Sequence, residues 1–276
     1  MVDKTPVGMK ESPVRVEEIP IDVKGMPVSV EEVEVDVEKL IAHGKIIDIT
    51  NPISSFTRIF PGDPIPAIEK VCTLEEEGCV VSKLSFGSHT GTHVDAPFHI
   101  LKNGRTVDKL ELKNLMGKAL ILDFSSLSGE LTANILEKTF QSIGASENIQ
   151  ILLLKTEDFS RKHEIAGEVS PSGAKLSYQD VEPEKEESCP AYLDESGAAW
   201  IVEKGFKTIG TDGFSVDNPY SKTLPAHHIL LSGNVNIVEC LELSSVETGI
   251  YFFLCLPLKI ENCDGAPARA LLISYS

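Results

Sequence analysis

Between Ser88 and His99 the chain reads Ser-His-Thr-Gly-Thr-His-Val-Asp-Ala-Pro-Phe-His. Three of its seven histidines (His89, His93 and His99) and the carboxylate of Asp95 fall within eleven positions. Imidazole and carboxylate are groups that zinc and manganese take as ligands, and ligands close in sequence lower the ordering cost of assembling a site. A lone histidine in a polar turn commonly hydrogen-bonds the backbone, but four candidate ligands in one run point to a metal. The chemistry such a site supports is hydrolysis. A divalent ion lowers the pKa of bound water from about 15.7 toward 7 and polarises a carbonyl. A histidine of ordinary pKa ~6.5 beside it can take or give a proton near neutrality. Neither a G-x-G-x-x-G nor a G-x-x-x-x-G-K-[ST] loop accompanies the run, which disfavours redox and nucleotide chemistry.

The local geometry of the run can be bounded. His89 and His93 are four apart and would share a helix face, as in H-E-x-x-H, but Gly91, Thr92 and Pro97 are poor helix residues and Thr90 stands where the glutamate belongs. In an extended chain every odd position from 89 to 99 turns to one side, and those positions hold His, Gly, His, Asp, Pro and His. The expectation is a strand over 79–87 running into a kinked loop that wraps round the ion. Upstream, a strand over 45–50 leads into a loop rich in Ser, Pro and Gly through Pro66, where a substrate pocket can be built without disturbing the core, with Ile59 and Phe60 best placed to line it.

The rest of the chain must carry these groups. Near-continuous apolar runs predict buried strands over 118–124 and 149–154. Thr132 can cap a helix that sets Ile135, Leu136, Phe140 and Ile143 on one face, and a second helix spans 194–204, with Trp200 and Ile201 inward and Gly205 as its stop. A short strand over 207–211, a helical turn over 226–231 and strands over 235–239, 250–256 and 268–274 complete a mixed α/β domain with more strand than helix. The polar, acidic stretch 160–190 is longer than an idle connector and reads as a lid, a subunit contact or a solvated excursion.

The first 44 residues form an extension to a domain over 45–276. Ile19, Ile21 and Val23 alternate before Lys24-Gly25, and Val28, Val30, Val33, Val35 and Val37 after it, which suggests a β-hairpin arm. Pro20 and Pro27 confine it to an edge, and it would have to dock on its own domain or on a second subunit. A disordered acidic tail is the competing reading. A net charge of −17 argues against nucleic acid and anionic membranes and leaves small molecules or proteins as partners. With no apolar signal region at the start and no run near the ~20 residues of a membrane span, the chain reads as cytoplasmic, its six cysteines as reduced thiols.

His89-x-Gly91-Thr92-His93-x-Asp95-x-Pro97-x-His99 resembles the signature of the metal-dependent cyclase family, which includes kynurenine formamidase (arylformamidase) and isatin hydrolase. Four further blocks agree with it: Phe60-Pro61-Gly62-Asp63, Thr211 to Asp217, Ser221 to His228 with Glu239, and Pro257-Leu258-Lys259 with Asp264 to Arg269. The resemblance implies a swivelling β/α domain over 45–276, a homo-oligomer (dimer or tetramer), and hydrolysis of an amide, formamide or cyclic imide or lactam. It also implies site roles. His89, His93 and Asp95 bind one ion; Asp95 and Glu239 bridge to a second completed by His227; His99 shuttles protons. Zinc is the first choice of metal and manganese the alternative. Phe60 replaces the tryptophan that kynurenine formamidases stack on their aromatic substrate, which puts N-formylkynurenine itself in doubt. A lactone or ester hydrolase of the same family and a non-catalytic, metal-braced binding protein are alternatives. A serine hydrolase built on Gly213-Phe-Ser215-Val-Asp217 lacks the closing glycine of its elbow.

Overall fold

The computed structural model describes residues 37–60, 62–144, 148–156 and 189–275. The arm expected over 13–38 therefore lies outside the described residues except for its last two, as do Pro61, His163 and nearly all of the 160–190 stretch. Where the extension meets the domain the chain is helical, over α1 (Val37–His43), a helix the sequence reading did not contain. In chain order there follow β1 (Ile46–Asp48), β2 (Ala67–Cys72), α2 (Leu74–Glu77), β3 (Val81–Ser85), β4 (His93–Asp95) and β5 (Met116–Asp123). After these come β6 (Glu130–Leu131), α3 (Ala133–Ile143), β7 (Ile151–Lys155), β8 (Tyr192–Leu193), α4 (Glu195–Glu203) and β9 (Thr208–Thr211). The chain finishes with α5 (Pro225–Ser232), β10 (Asn236–Glu239), β11 (Gly249–Pro257) and β12 (Gly265–Ser274).

Seven strands close on themselves in the order β12, β11, β5, β7, β9, β10, β4 and back to β12, while β1 extends the sheet along the far end of β12. The centre of this sheet is parallel, β5 with β7, β7 with β9 and β9 with β10, and strands of that kind are buried on both faces. Their apolar runs therefore serve two cores. Ala119, Ile121, Ile151 and Leu153 point into the barrel with Val94, Val238, Phe253 and Leu272. Leu120, Leu122, Leu152 and Leu154 point out, under Leu136 of α3 and Trp200 of α4.

Both helices begin where the side-chain chemistry says they should. Thr132 Oγ1 accepts the N–H of Ile135 at 3.4 Å, and Asp194 Oδ1 that of Gly197 at 2.7 Å. Gly197 has a second reason to be glycine, because a Cβ there would stand 2.2 Å from the carbonyl oxygen of Leu131.

The hairpin of β2 and β3 departs from this economy. Its strands pair antiparallel with a bulge between Lys70 and Cys72, and every residue of β3 is exposed. Only the second strand was expected. The first carries its apolar residues among Glu69 and Lys70, and Ile68 and Val71 are exposed rather than packed into the domain.

Candidate metal centre

β4 is the seam of the barrel and carries the site. It lies antiparallel to β10 on one side and β12 on the other, with Glu239 directly opposite His93 and Gly265 opposite Asp95. Directly opposed residues hold their Cβ atoms about 4.5–5.5 Å apart, so the imidazole of His93 and the carboxylate of Glu239 meet by register, though 146 positions separate them in sequence. The first motif is thus a turn, a buried strand and a 3-10 turn (Pro97–His99), not a strand followed by a kinked loop. The correction has a simple cause: a short strand buried between two others needs no apolar run of its own. The expected alternation does hold, with His93 and Asp95 on one face of it.

The polar atoms converge tightly. His93 Nε2 is 3.2 Å from Asp95 Oδ1 and 3.5 Å from Glu239 Oε2. His227, on the first turn of α5, brings its Nε2 to 3.3 Å from Asp95 Oδ2 and 3.4 Å from Glu239 Oε1. On the other flank His89 Nδ1 contacts Asp95 Oδ1 at 2.7 Å, and the ring of His99 lies 4.1 Å from that of His89. All six predicted polar residues therefore stand together, around Asp95. Their sorting differs from the expected one. His93, Asp95 and Glu239 form one group of converging ligand atoms, and His89, Asp95 and His99 another, so His89 and His93 fall on opposite sides of the shared carboxylate. His228 points away and is exposed; His43 is exposed as well.

Each inner imidazole is fixed from behind. His93 Nδ1 donates to the carbonyl oxygen of Gly91 at 2.8 Å, and His227 Nδ1 to Asp217 Oδ2 at 2.6 Å, which leaves both Nε2 atoms facing the carboxylates. Asp217 also accepts the backbone N–H of Ala226 at 2.7 Å and of His227 at 3.0 Å, so one carboxylate caps α5 and orients the histidine that α5 presents. His89 Nε2 donates to Asp264 Oδ2 at 2.8 Å. Sequence reasoning quoted Asp217 and Asp264 inside motifs and gave neither a role. The signal it could have used is the rule that ligating histidines lean on a carboxylate or carbonyl.

Do these residues fit a metal? His93 Nε2 and Asp95 Oδ2 are buried and have no hydrogen-bond partner; the His227 contact to Asp95 Oδ2 lacks the alignment of one. Buried polar atoms left so are costly unless something else engages them. Protonation tells the same story. Burial works against a charged ring at His93 and His227, yet Asp95 for the first and Glu239 for the second outweigh it and hold both well above the ordinary imidazole value. Burial likewise opposes ionisation of Asp95, and the imidazoles around it, His93 foremost, hold it well below the usual carboxylate range. The cluster is built to keep positive charge between its two carboxylates. Three imidazoles and two carboxylates facing one point are the donor set of a divalent-metal centre.

Residues 51–60 lie behind this centre. With Gly91, Asp212, Phe214 and Cys240 they enclose a cavity of about 260 Å³, lined from the loop by Asn51, Phe56, Thr57 and Arg58. Ile59 and Phe60 do not line it, and Phe60 lies at the surface. Ser215 Oγ accepts the N–H of Asp217 at 3.2 Å, a local turn contact, and His227 is committed elsewhere, so the serine-elbow reading finds no base.

A closed small barrel with a histidine and carboxylate cluster at its seam defines a metal-centre protein, and known proteins narrow the class. The family model named Cyclase matches residues 47–218. A kynurenine formamidase of Bacillus cytotoxicus is 33% identical over 227 residues, covering 82% of this chain and 96% of that one. Among solved structures, one described as a potential metal-dependent hydrolase with cyclase activity is 25% identical, with a TM-score of 0.62 over 84% of this chain and 99% of the other. An isatin hydrolase bound to the product analogue thioisatinate shares the fold, with a TM-score of 0.72, 19% identity and coverage of 87% and 96%. The chain belongs to the cyclase family and is a hydrolase. Among the described residues no helix is long and apolar enough to cross a membrane.

Proposed function

We propose that the chain is a metal-dependent amidohydrolase that cleaves a C–N bond of a small molecule through metal-activated water, with aryl formamides as the first substrates to test and cyclic imides and lactams next. The observation that carries the reading is the pair of buried, partnerless ligand atoms, His93 Nε2 and Asp95 Oδ2, faced by His227 and Glu239. The relatives named kynurenine formamidase support the formamide class. His93, Asp95, Glu239 and His227 would hold one cation, and His89 with Asp95 would hold a second on the His99 side. A divalent cation there, zinc first and manganese second, supplies Lewis acidity and brings hydroxide within reach of neutral pH.

The chain's own residues supply the rest. Burial pulls His99 below the ordinary imidazole value, so it is neutral near pH 7 and ready to accept a proton. It stands at the mouth of the cluster, a quarter of its side chain exposed, and can pass that proton to the departing nitrogen. Asp217 and the Gly91 carbonyl keep His227 and His93 aimed while charge develops. The cytoplasm suits the six free thiols.

The test is elemental analysis of the purified protein, followed by turnover assays on N-formyl aryl amines, cyclic imides and lactones before and after a chelator. Bound metal, C–N cleavage lost on chelation and recovery on adding zinc or manganese are expected. A reconstituted protein that binds no metal, or hydrolysis indifferent to the chelator, overturns the proposal; turnover of lactones alone moves it to the ester branch.

A further inference from the structure

The two carboxylates that touch His89 differ in kind. Asp95 is fully buried inside the cluster, whereas Asp264 lies at its rim, on the turn that leads into β12, with more than a third of its side chain exposed. Asp264 Oδ2 accepts from His89 Nε2 at 2.8 Å and stands 3.7 Å from His99 Nδ1. The next residue is Gly265, whose register partner on β4 is Asp95. A Cβ at Gly265 would lie 2.9 Å from His89 Cε1 and 3.3 Å from its Nδ1, closer than packed atoms allow. One residue thus clears space for the ring and its neighbour grips the ring's outer nitrogen. The backbone holds both in place, since the Asp264 carbonyl oxygen accepts the N–H of Ala96 at 2.9 Å.

We propose that Asp264 and Gly265 form the seat of His89: Asp264, by accepting the Nε2 hydrogen, fixes Nδ1 as the atom that faces Asp95 and the cation shared with it, and Gly265 lets the ring reach that position. Asp264 is a positioning residue, acting through His89, and the inference rests on the metal-dependent reading above. Two features favour this role over that of an ordinary surface ion pair. The contact is short and directional, and the chain has given up a side chain at the adjacent position to make it. The arrangement repeats the support of His227 by Asp217 and of His93 by the Gly91 carbonyl, so that all three imidazoles facing Asp95 have their far nitrogen bound to an acceptor.

The experiment is equilibrium metal titration of the full chain by chelator competition with zinc, run on the native protein, Asp264→Ala, Asp264→Asn and Gly265→Ala, with far-UV circular dichroism to confirm folding. Removing an outer acceptor of a ligating histidine costs about 10–100-fold in metal affinity. Asp264→Ala should show that loss on one of the two zinc equivalents and leave the other unchanged. Asp264→Asn keeps an oxygen to accept the same hydrogen and should lose less than about tenfold. Gly265→Ala, which leaves Asp264 in place but crowds the ring, should weaken the same equivalent as Asp264→Ala. If Asp264→Ala binds both equivalents as the native protein does, or if Asn and Ala lose equally, the seat is wrong. Failure of the native protein to bind zinc would instead dispose of the metal-dependent reading itself.

Discussion

Replacing Asp217 by alanine removes the group on which the far half of the site depends. Its carboxylate is almost fully buried and accepts three N–H groups: Ala226 N, His227 N and His227 Nδ1, at 2.7, 3.0 and 2.6 Å. Hydrogen bonds to a charged group contribute about 1.5–3 kcal/mol each, and donors left buried and unpaired cost a similar amount. Three such bonds, discounted for partial access of water to the start of α5, give a loss of about 3–5 kcal/mol, a large part of the ~5–15 kcal/mol that holds a typical domain together. Leu224, the residue before α5, makes no side-chain cap of its own, so nothing local replaces what is lost. With a urea m-value of about 3 kcal/mol/M, the unfolding midpoint of the chelator-treated protein should fall by roughly 1–1.7 M with m unchanged. Asp217→Asn, whose amide oxygen can still accept but whose NH2 confronts a donor, should fall in between. Zinc affinity should drop in parallel, because His227 no longer has its Nε2 aimed at Asp95 and Glu239. A midpoint shift worth less than ~1 kcal/mol, or a shift of full size with zinc affinity intact, would show that the carboxylate does not couple helix to site.

Other outcomes follow from the same geometry. His93→Ala should abolish both metal content and hydrolysis, whereas His99→Ala should keep the metal and lose turnover; equal metal loss in the two would take the proton-transfer role away from His99. Metal affinity should strengthen as pH rises, with protons released on uptake, because Asp95 and Glu239 hold His93 and His227 protonated above their ordinary range and a cation must displace those protons. Isothermal titration in buffers of different ionisation enthalpy reads the proton count, and zero release is the refuting result. The metal-free protein should run the other way. Although burial opposes it, Asp264 and then Asp95 raise His89 to about 9, so its contribution to stability is full below about 6.5 and disappears as pH climbs through 9, as unfolding midpoints across that range will show. A homo-oligomer assembled through the exposed hairpin should lose its association constant in Leu84→Lys or Ile68→Lys; light scattering that finds the native chain monomeric at micromolar concentration ends that idea.

Much of the site was legible in the linear order because its ligands are densest where the chain passes through the barrel seam. Period-two spacing put His93 and Asp95 on one face, and the strand they form keeps that promise. The regular elements announced themselves for the same kind of reason: caps at Thr132 and Asp194 and apolar runs at β5 and β7 are local signals. The errors were non-local. β4 has no apolar pattern of its own and is a strand only because β10 and β12 flank it. The lining of the loop cavity passed to Phe56 and Arg58, since side-chain direction in an irregular loop has no period to read.

Taken alone, the sequence determined the type of chemistry, the residues able to perform it and the family they resemble, because ligand identity and spacing are properties of the chain. Only the tertiary structure decided that Asp95 is the shared carboxylate, that His89 and His93 fall on opposite sides of it, and that Asp217 and Asp264 stand behind the histidines. Those facts depend on strand register across the closure of β4 against β10 and β12, which joins atoms up to 175 positions apart. Register is set by the packing of the whole sheet, and no stretch of sequence contains it.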